Sequence, residues 1–229
     1  ESPESYFAHT AGLKVVSCSN PADAYWMIQQ AIDSNDPVVF FEPKSRYWPK
    51  GDVDRTAAET PLHASRVVRT GTDATLVGHG AMVAALLQAA EIAAEEGTSL
   101  EVIDLRSLSP IDYDPILTSV QKTGRLVVAQ EAPGHVSVGS EIAATIAERA
   151  FYSLQSPVLR VSGFDTPFPP AKLETLYLPD ADRVLEAVDR ALASPVRSEA
   201  RAATESVLAR FFTGRIHHHV TTAHDHELA

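Results

Sequence analysis

From Ala74 onward, short aliphatic runs alternate with longer amphipathic stretches, a rhythm that few folds accommodate. "ATLVG" (74–78), "LEVID" (100–104), "RLVVA" (125–129) and residues 158–161 have the near-continuous apolar character of strands covered on both faces. Residues 81–95, 112–121, 139–149 and 180–193 read as the helices between and after them. Gly97 and Gly124 stand where the first two of these helices should stop, because glycine takes the left-handed conformation that ends a helix without a Cβ clash. Strands joined through helices run parallel, and a parallel sheet needs helices over both faces. The alternation therefore predicts a complete three-layer α/β/α domain with a mainly parallel sheet over 66–193, in which "LRSLSPID" (105–112) is a turn.

A shorter series precedes it. "LKVVS" (13–17) reads as a buried strand and "PVVFFEP" (37–43) as a second one. The helix between them has Asn20 to cap it, Pro21 at its first position, and an apolar stripe of Ala24, Met27, Ile28 and Ala31. Two strands cannot make an α/β domain by themselves, so 1–43 is expected to be the end of a larger one. Residues 44–65 lose periodicity and gather proline, glycine and charge, a linker signal. In the tail, 194–229, Val196, Ala200, Ala203, Val207 and Phe211 predict a helix over about 197–212, followed by a disordered end rich in histidine.

Charge narrows the partners. The formal net charge is -11, and the four arginines and four acidic residues of 195–229 cancel, so the excess lies in 1–194. That balance argues against nucleic acid or an anionic membrane as partner and favours a basic one. No stretch reaches the roughly 18 apolar residues of a membrane span, and no leader is recognisable, so a cytoplasmic protein is expected. Cys18 stands alone, which excludes an intrachain disulfide and makes it a small buried filler.

Few residues declare chemistry. "GHGAM" (78–82) lacks the third glycine of a dinucleotide loop and the lysine and hydroxyl of a P-loop, so close strand-to-helix packing is the better account of its glycines, with an anion or cofactor contact as the alternative. Asp104 and Arg106 follow a central strand, where α/β sheets place functional loops, and read as a loop-fixing ion pair, with Ser109 or Asp112 capping the next helix, or as an interface or ligand contact. Glu131 and His135 follow another strand; Glu131 is either a solvated turn residue or the holder of an interface or site loop. The polar residues Glu1, Ser2, Glu4, Ser5, Tyr6 and His9 form either a pocket wall or a plain loop. His217, His218, His219, His224 and His226 form no preorganised metal site, only a tract with adventitious affinity.

Taken in order, "SPESYFAHTAGLKVVSCSNPADAYWMIQQAI", "DPVVFFEPK", "LEVIDLRSLSPIDYDPI", "KTGRLVVAQEAP", "GSEIAATIAERAF", "SPVLRVSGFDTPFPP" and "YLPDADRVLEAV" resemble the β subunit of the E1 component of 2-oxo acid dehydrogenase complexes, most closely the branched-chain type. The resemblance covers about residues 1–193. It implies a transketolase-like, thiamine-diphosphate-dependent α2β2 heterotetramer that decarboxylates a 2-oxo acid resembling 3-methyl-2-oxobutanoate and passes the acyl group to the lipoyl arm of E2. Alternatives are a pyruvate-type E1 β or another transketolase-like enzyme, and a non-catalytic fragment that assembles or binds E2.

On this resemblance, 1–43 is the end of a pyrimidine-binding domain and 66–193 a transketolase C-terminal-type domain. The glutamate and histidine that act on the cofactor are expected upstream of Glu1. The chain would thus hold no catalytic residue, and alone it would be inactive. Magnesium is expected mainly on the α subunit, and a monovalent cation, potassium, at Ala31, Ser34 and Asp36. The expected partners are the E1 α subunit, a second β subunit and the subunit-binding domain of E2.

Overall fold

The computed structural model describes residues 2–56 and 60–194. The elements over 66–193 follow the predicted alternation closely. Strands β4 (Ala74–Gly78), β5 (Leu100–Asp104), β7 (Leu126–Pro133) and β8 (Leu159–Gly163) run parallel in the order β5-β4-β7-β8. Strand β3 (Arg66–Arg69) adds antiparallel to β5 at one edge, and sequence reading passed over it because its arginines mask the strand pattern.

Alternate residues of each strand feed two cores. Leu76, Val102 and Val127 face α3 (Met82–Glu95) and α7 (Ala181–Leu192, which follows the one-turn α6, Glu174–Tyr177), packing on Leu86, Ala90, Val184 and Val188. Val77, Ile103 and Val128 face α4 (Asp114–Thr123) and α5 (Val138–Arg149), packing on Ile116, Val120, Ile142 and Ile146. Full burial of each such side chain contributes about 1.5–3 kcal/mol. Thr75 points at α4 as well, where its Oγ1 lies 2.6 Å from Ser119 Oγ and 2.7 Å from Thr123 Oγ1, so a polar strand residue is fully paired. Gly124, at φ 70°, closes α4 in the left-handed conformation foreseen for it.

The first series has the expected βαβ core. β1 (Lys14–Ser17) and β2 (Val38–Phe41) pair in parallel around α2 (Pro21–Ile32), and Asn20 Oδ1 accepts the Asp23 N–H at 2.9 Å as the cap. The foreseen stripe is uneven: Met27 is fully buried against Val16, Cys18 and Leu62, whereas Ile28 lies at the surface. The opening segment, a pocket wall or a plain loop by sequence, contains a one-turn helix, α1 (Glu4–Ala8), whose Phe7 meets Phe41 edge to face.

The turn expected at 105–112 is a strand in part. β6 (Ser107–Ser109) pairs antiparallel with β1, giving a small sheet in the order β2-β1-β6. The chain turns from β5 of the large sheet into β6 of the small one at Arg106, whose φ is 57°. Ser109 does not cap α4: its hydroxyl donates to the Leu13 carbonyl at 3.2 Å. The residue at the cap position is Tyr113, which makes no side-chain cap bond; Asp112, just before it, accepts the Asp114 N–H at the start of α4 at 3.3 Å through Oδ1 and the Ser65 N–H at 3.0 Å through Oδ2. Between the two sheets, Lys44–Arg46 form a single 3-10 turn, and residues 60–65 run across α2 and β6, with Leu62 buried beside Met27. The helix foreseen over 197–212 and the histidine tract lie outside the described residues.

Candidate functional site

The chain leaves β4 for β5 on one side and later returns to β7 on the other, so the carboxyl ends of β4 and β7 flank a topological switch point, where open α/β sheets place their sites. His79 directly follows β4, Glu131 lies within the end of β7, and α1 covers both. Ser2 donates its hydroxyl to Glu131 Oε2 at 3.2 Å, and Glu4 Oε1 stands 4.0 Å from His79 Nδ1. Glu4 is 8% exposed and its Oε2 has no hydrogen-bond partner among the described residues. Glu131 is therefore no solvated turn residue. Burial pushes its carboxyl above the usual range, the Ser2 hydroxyl opposes that, and the neighbouring Glu4 charge raises it further. Two carboxyls and one imidazole thus lie under a common cover, with one buried Glu4 oxygen lacking a donor among the described residues.

The opening polar residues thus sort into distinct roles. Ser2 and Glu4 reach the buried cluster, while Ser5, Tyr6 and His9 line a cleft of about 960 Å³ with Leu108, Ile111 and the loop 132–141. That loop is held from beneath by buried Gln130, which accepts the Gly139 N–H at 2.7 Å and donates to the Pro133 carbonyl at 2.8 Å. At its tip Val136 is 70% exposed with φ 45°, a costly conformation for a β-branched residue. His135 is exposed beside it and enters no buried cluster.

A second polar assembly lies where β1, α2, β3 and β6 meet. The guanidinium of Arg106, 1% exposed, donates to Asp23 Oδ1 at 3.1 Å and to the carbonyls of Pro61 and Ala64 at 2.9 and 2.8 Å. Asp23 also binds Arg66 at 2.7 Å and Asn20 at 2.6 Å. Asp104 and Arg106 are not the ion pair that their spacing suggested. Asp104 accepts the Arg106 backbone N–H at 3.1 Å and the Ser19 hydroxyl at 2.5 Å, while the guanidinium turns to an aspartate 83 residues away in sequence. Burial drives the Asp104 carboxyl from 3.8 up to about 6, against the Ser19 bond. Gly80 closes the same junction: its φ is 55°, and a Cβ there would stand 2.8 Å from Ser17 Oγ and 3.1 Å from Pro43 Cγ. The glycines of "GHGAM" are thus explained by close packing, since a Cβ on Gly78 would meet Leu86 at 2.8 Å.

Cys18 is 6% exposed, and burial followed by the Glu42 charge raises its thiol to about 11, which suits a filler. At the end of α2, the Ala31 carbonyl accepts the Ser34 N–H at 3.4 Å, Ser34 Oγ accepts the Asp36 N–H at 3.1 Å, and Asp36 faces Lys14 at 3.7 Å. Among the described residues there is no group of three or more His, Cys, Asp or Glu placed to hold a metal ion. None of their helices is long and apolar enough to cross a membrane.

Comparison with known proteins places this architecture. Residues 63–184 match the family model "Transketolase, C-terminal domain", and residues 1–49 match "Transketolase, pyrimidine binding domain". The chain belongs to the transketolase C-terminal domain family. Within that family it strongly resembles the β subunits of 2-oxo acid dehydrogenase E1 components. It is 74% identical over 193 residues to the pyruvate dehydrogenase E1 component subunit beta of Leifsonia xyli, covering 84% of this chain and 57% of that protein. It is 51% identical over 196 residues to the 3-methyl-2-oxobutanoate dehydrogenase subunit beta of Mycobacterium tuberculosis, covering 85% and 56%. A solved structure described as "Split gene transketolase, inactive beta4 tetramer" superposes with a TM-score of 0.70 at 27% identity, over 84% of this chain and 61% of that one. The chain spans a little over half the length of the curated relatives it matches.

Proposed function

We propose that this chain is the β-subunit portion of a thiamine-diphosphate-dependent 2-oxo acid dehydrogenase E1 acting on pyruvate. The observation that carries the reading is 74% identity with a pyruvate-type β subunit, against 51% with a 3-methyl-2-oxobutanoate-type one over nearly the same residues. Sequence motifs alone favoured the branched-chain type, and that remains the second reading. The division proposed is 1–43 as the end of the pyrimidine-binding domain, 44–65 as linker, 66–193 as the C-terminal domain and 194–229 as an added tail.

Bound thiamine diphosphate supplies an electron sink for the pair left behind when carbon dioxide departs. The part proposed for this chain is positioning. Ser2 on Glu131 and Glu4 beside His79 anchor α1, and with it the segment before Ser2, in which family resemblance puts the groups that handle protons. Arg106, Asp23 and Arg66 fix the small sheet against the large one, so that this anchor cannot drift. A potassium ion at Ala31, Ser34 and Asp36 remains part of the proposal, with Lys14 as its competitor for the Asp36 carboxylate. The partners proposed are an E1 α subunit carrying magnesium, a second β subunit and the E2 subunit-binding domain, in a cytoplasmic complex.

The test is reconstitution. The β polypeptide extended upstream of Glu1 to the length of its relatives, mixed with an α subunit, thiamine diphosphate and magnesium, should release carbon dioxide from pyruvate. The 229-residue chain under the same conditions should release none. Turnover by the shorter chain alone would refute the reading.

A further inference from the structure

A second cleft, of about 550 Å³, opens on the far side of the Val136 loop, between that loop, β8 and the start of α7. Two arginines line it. Arg160 uses one amino group, Nη1, to donate to the Gly134 carbonyl at 2.8 Å and to Ser140 Oγ at 2.5 Å. Arg183 donates to the Ser162 carbonyl at 2.6 Å and the Tyr177 carbonyl at 3.3 Å, and lies over the Phe164 ring at 4.7 Å. Their partners are neutral oxygens and an aromatic face, and neither arginine forms an ion pair among the described residues.

Arg160 is exposed and Arg183 half-buried, in a chain of net charge -11. Elsewhere Arg66, Arg106 and Lys122 each meet a carboxylate, whereas half-buried Arg46 and Arg125 donate to backbone carbonyls. At Arg160 and Arg183, neutral acceptors fix the guanidiniums in place without neutralising them, and Arg160 keeps its Nε and Nη2 donors unspent. Fixed, uncompensated guanidinium forks match oxyanions with paired donors. Ser140 and Ser162 add hydroxyls to the same wall, and His135 stands at the mouth. The opposing charge is Asp165, also in the lining. The volume exceeds what a bare ion fills and lies in the range of organic-ligand sites.

We propose that the cleft bounded by Arg160, Arg183, Ser140 and Ser162 binds the phosphate group of a small organic phosphate. The binding would be separate from the α1 cluster and independent of which oxo acid the complex consumes. Occupancy would bear on the Val136 loop, because Arg160 holds that loop through Gly134 and Ser140.

The test titrates the 15N-labelled full chain with glycerol phosphate, inorganic phosphate, acetate or chloride at matched ionic strength, following the Gly134, Ser140 and Ser162 amides. The two phosphate probes should give saturable shifts, glycerol phosphate binding the tighter. Arg160→Gln should weaken glycerol phosphate about tenfold or more, and Asp165→Asn should strengthen it. Arg160→Lys, which keeps the charge and loses the fork, should fall between, with melting curves of all three variants superimposable on the parent. Shifts that never saturate, that acetate or chloride reproduces, or that survive Arg160→Gln unchanged would overturn the site. Tighter binding of inorganic phosphate than of glycerol phosphate would overturn the organic ligand.

Discussion

Replacing Arg106 by methionine keeps most of the side-chain volume and removes every donor. In the folded chain Asp23 Oδ1 then loses its Arg106 partner, and the Pro61 and Ala64 carbonyls lose the donors that hold residues 60–65 across α2. Removing one member of a buried ion pair costs about 3–5 kcal/mol, and each stranded buried carbonyl adds about 1–3 kcal/mol. Arg66 and Asn20 still reach Asp23, and water can enter beside half-exposed Arg66, so the net loss is set at about 4–6 kcal/mol. Against a usual total of about 5–15 kcal/mol, that removes a large part of the stability. The left-handed backbone at residue 106 strains methionine as it strains arginine, so it does not enter the difference. Urea denaturation followed by circular dichroism measures the loss. Asp23→Asn combined with Arg106→Met should cost at least about 1 kcal/mol less than the two single changes summed, because the stranded charge is gone. A single-variant loss under about 1 kcal/mol would refute the clamp, since no buried guanidinium with three such partners could be removed so cheaply.

Asp104 should make the fold pH-sensitive. Its folded carboxyl titrates near 6 against 3.8 when unshifted, so the contribution is full below about 4 and is lost as pH rises through about 6. Asp104→Asn should flatten that fall in urea midpoints between pH 4 and 7, and an unchanged slope would count against it. Gly80→Ala should destabilise by about 1–3 kcal/mol through its positive φ and the contact with Ser17, measured by thermal melting. Val136→Gly should leave stability unchanged or raise it by up to about 1 kcal/mol, because relief at φ 45° offsets the greater freedom of glycine in the unfolded chain. Cys18 should react with a disulfide reagent at pH 8 far more slowly than in urea, given a thiol pushed up to about 11 by burial.

What could be foreseen in the sequence was local. Asn20 before Pro21, and Gly124 after a helical stretch, announce helix ends through their own backbone chemistry, and both occur as expected. Strands β4, β5 and β7 announce themselves because burial on both faces makes nearly every residue apolar. The elements missed depend on distant partners. Ser107–Ser109 is three residues long and becomes a strand only because β1, some ninety residues earlier, offers it an edge. Arg106 looked like the neighbour of Asp104, yet its partner Asp23 is on α2, and no spacing rule reaches that far. The same holds for Glu4, Glu131 and His79, whose meeting needs α1 folded over the switch point. The acidic residues in "SPES" and "AQEAP" were visible as candidates, but nothing in either stretch indicated that one faces the other.

The proposed role turns most directly on substrate. The complete β polypeptide, assembled with its α subunit, thiamine diphosphate and magnesium, should show a higher kcat/KM for pyruvate than for 3-methyl-2-oxobutanoate. The opposite order would return the chain to the branched-chain type, and no turnover of either 2-oxo acid would contradict the account.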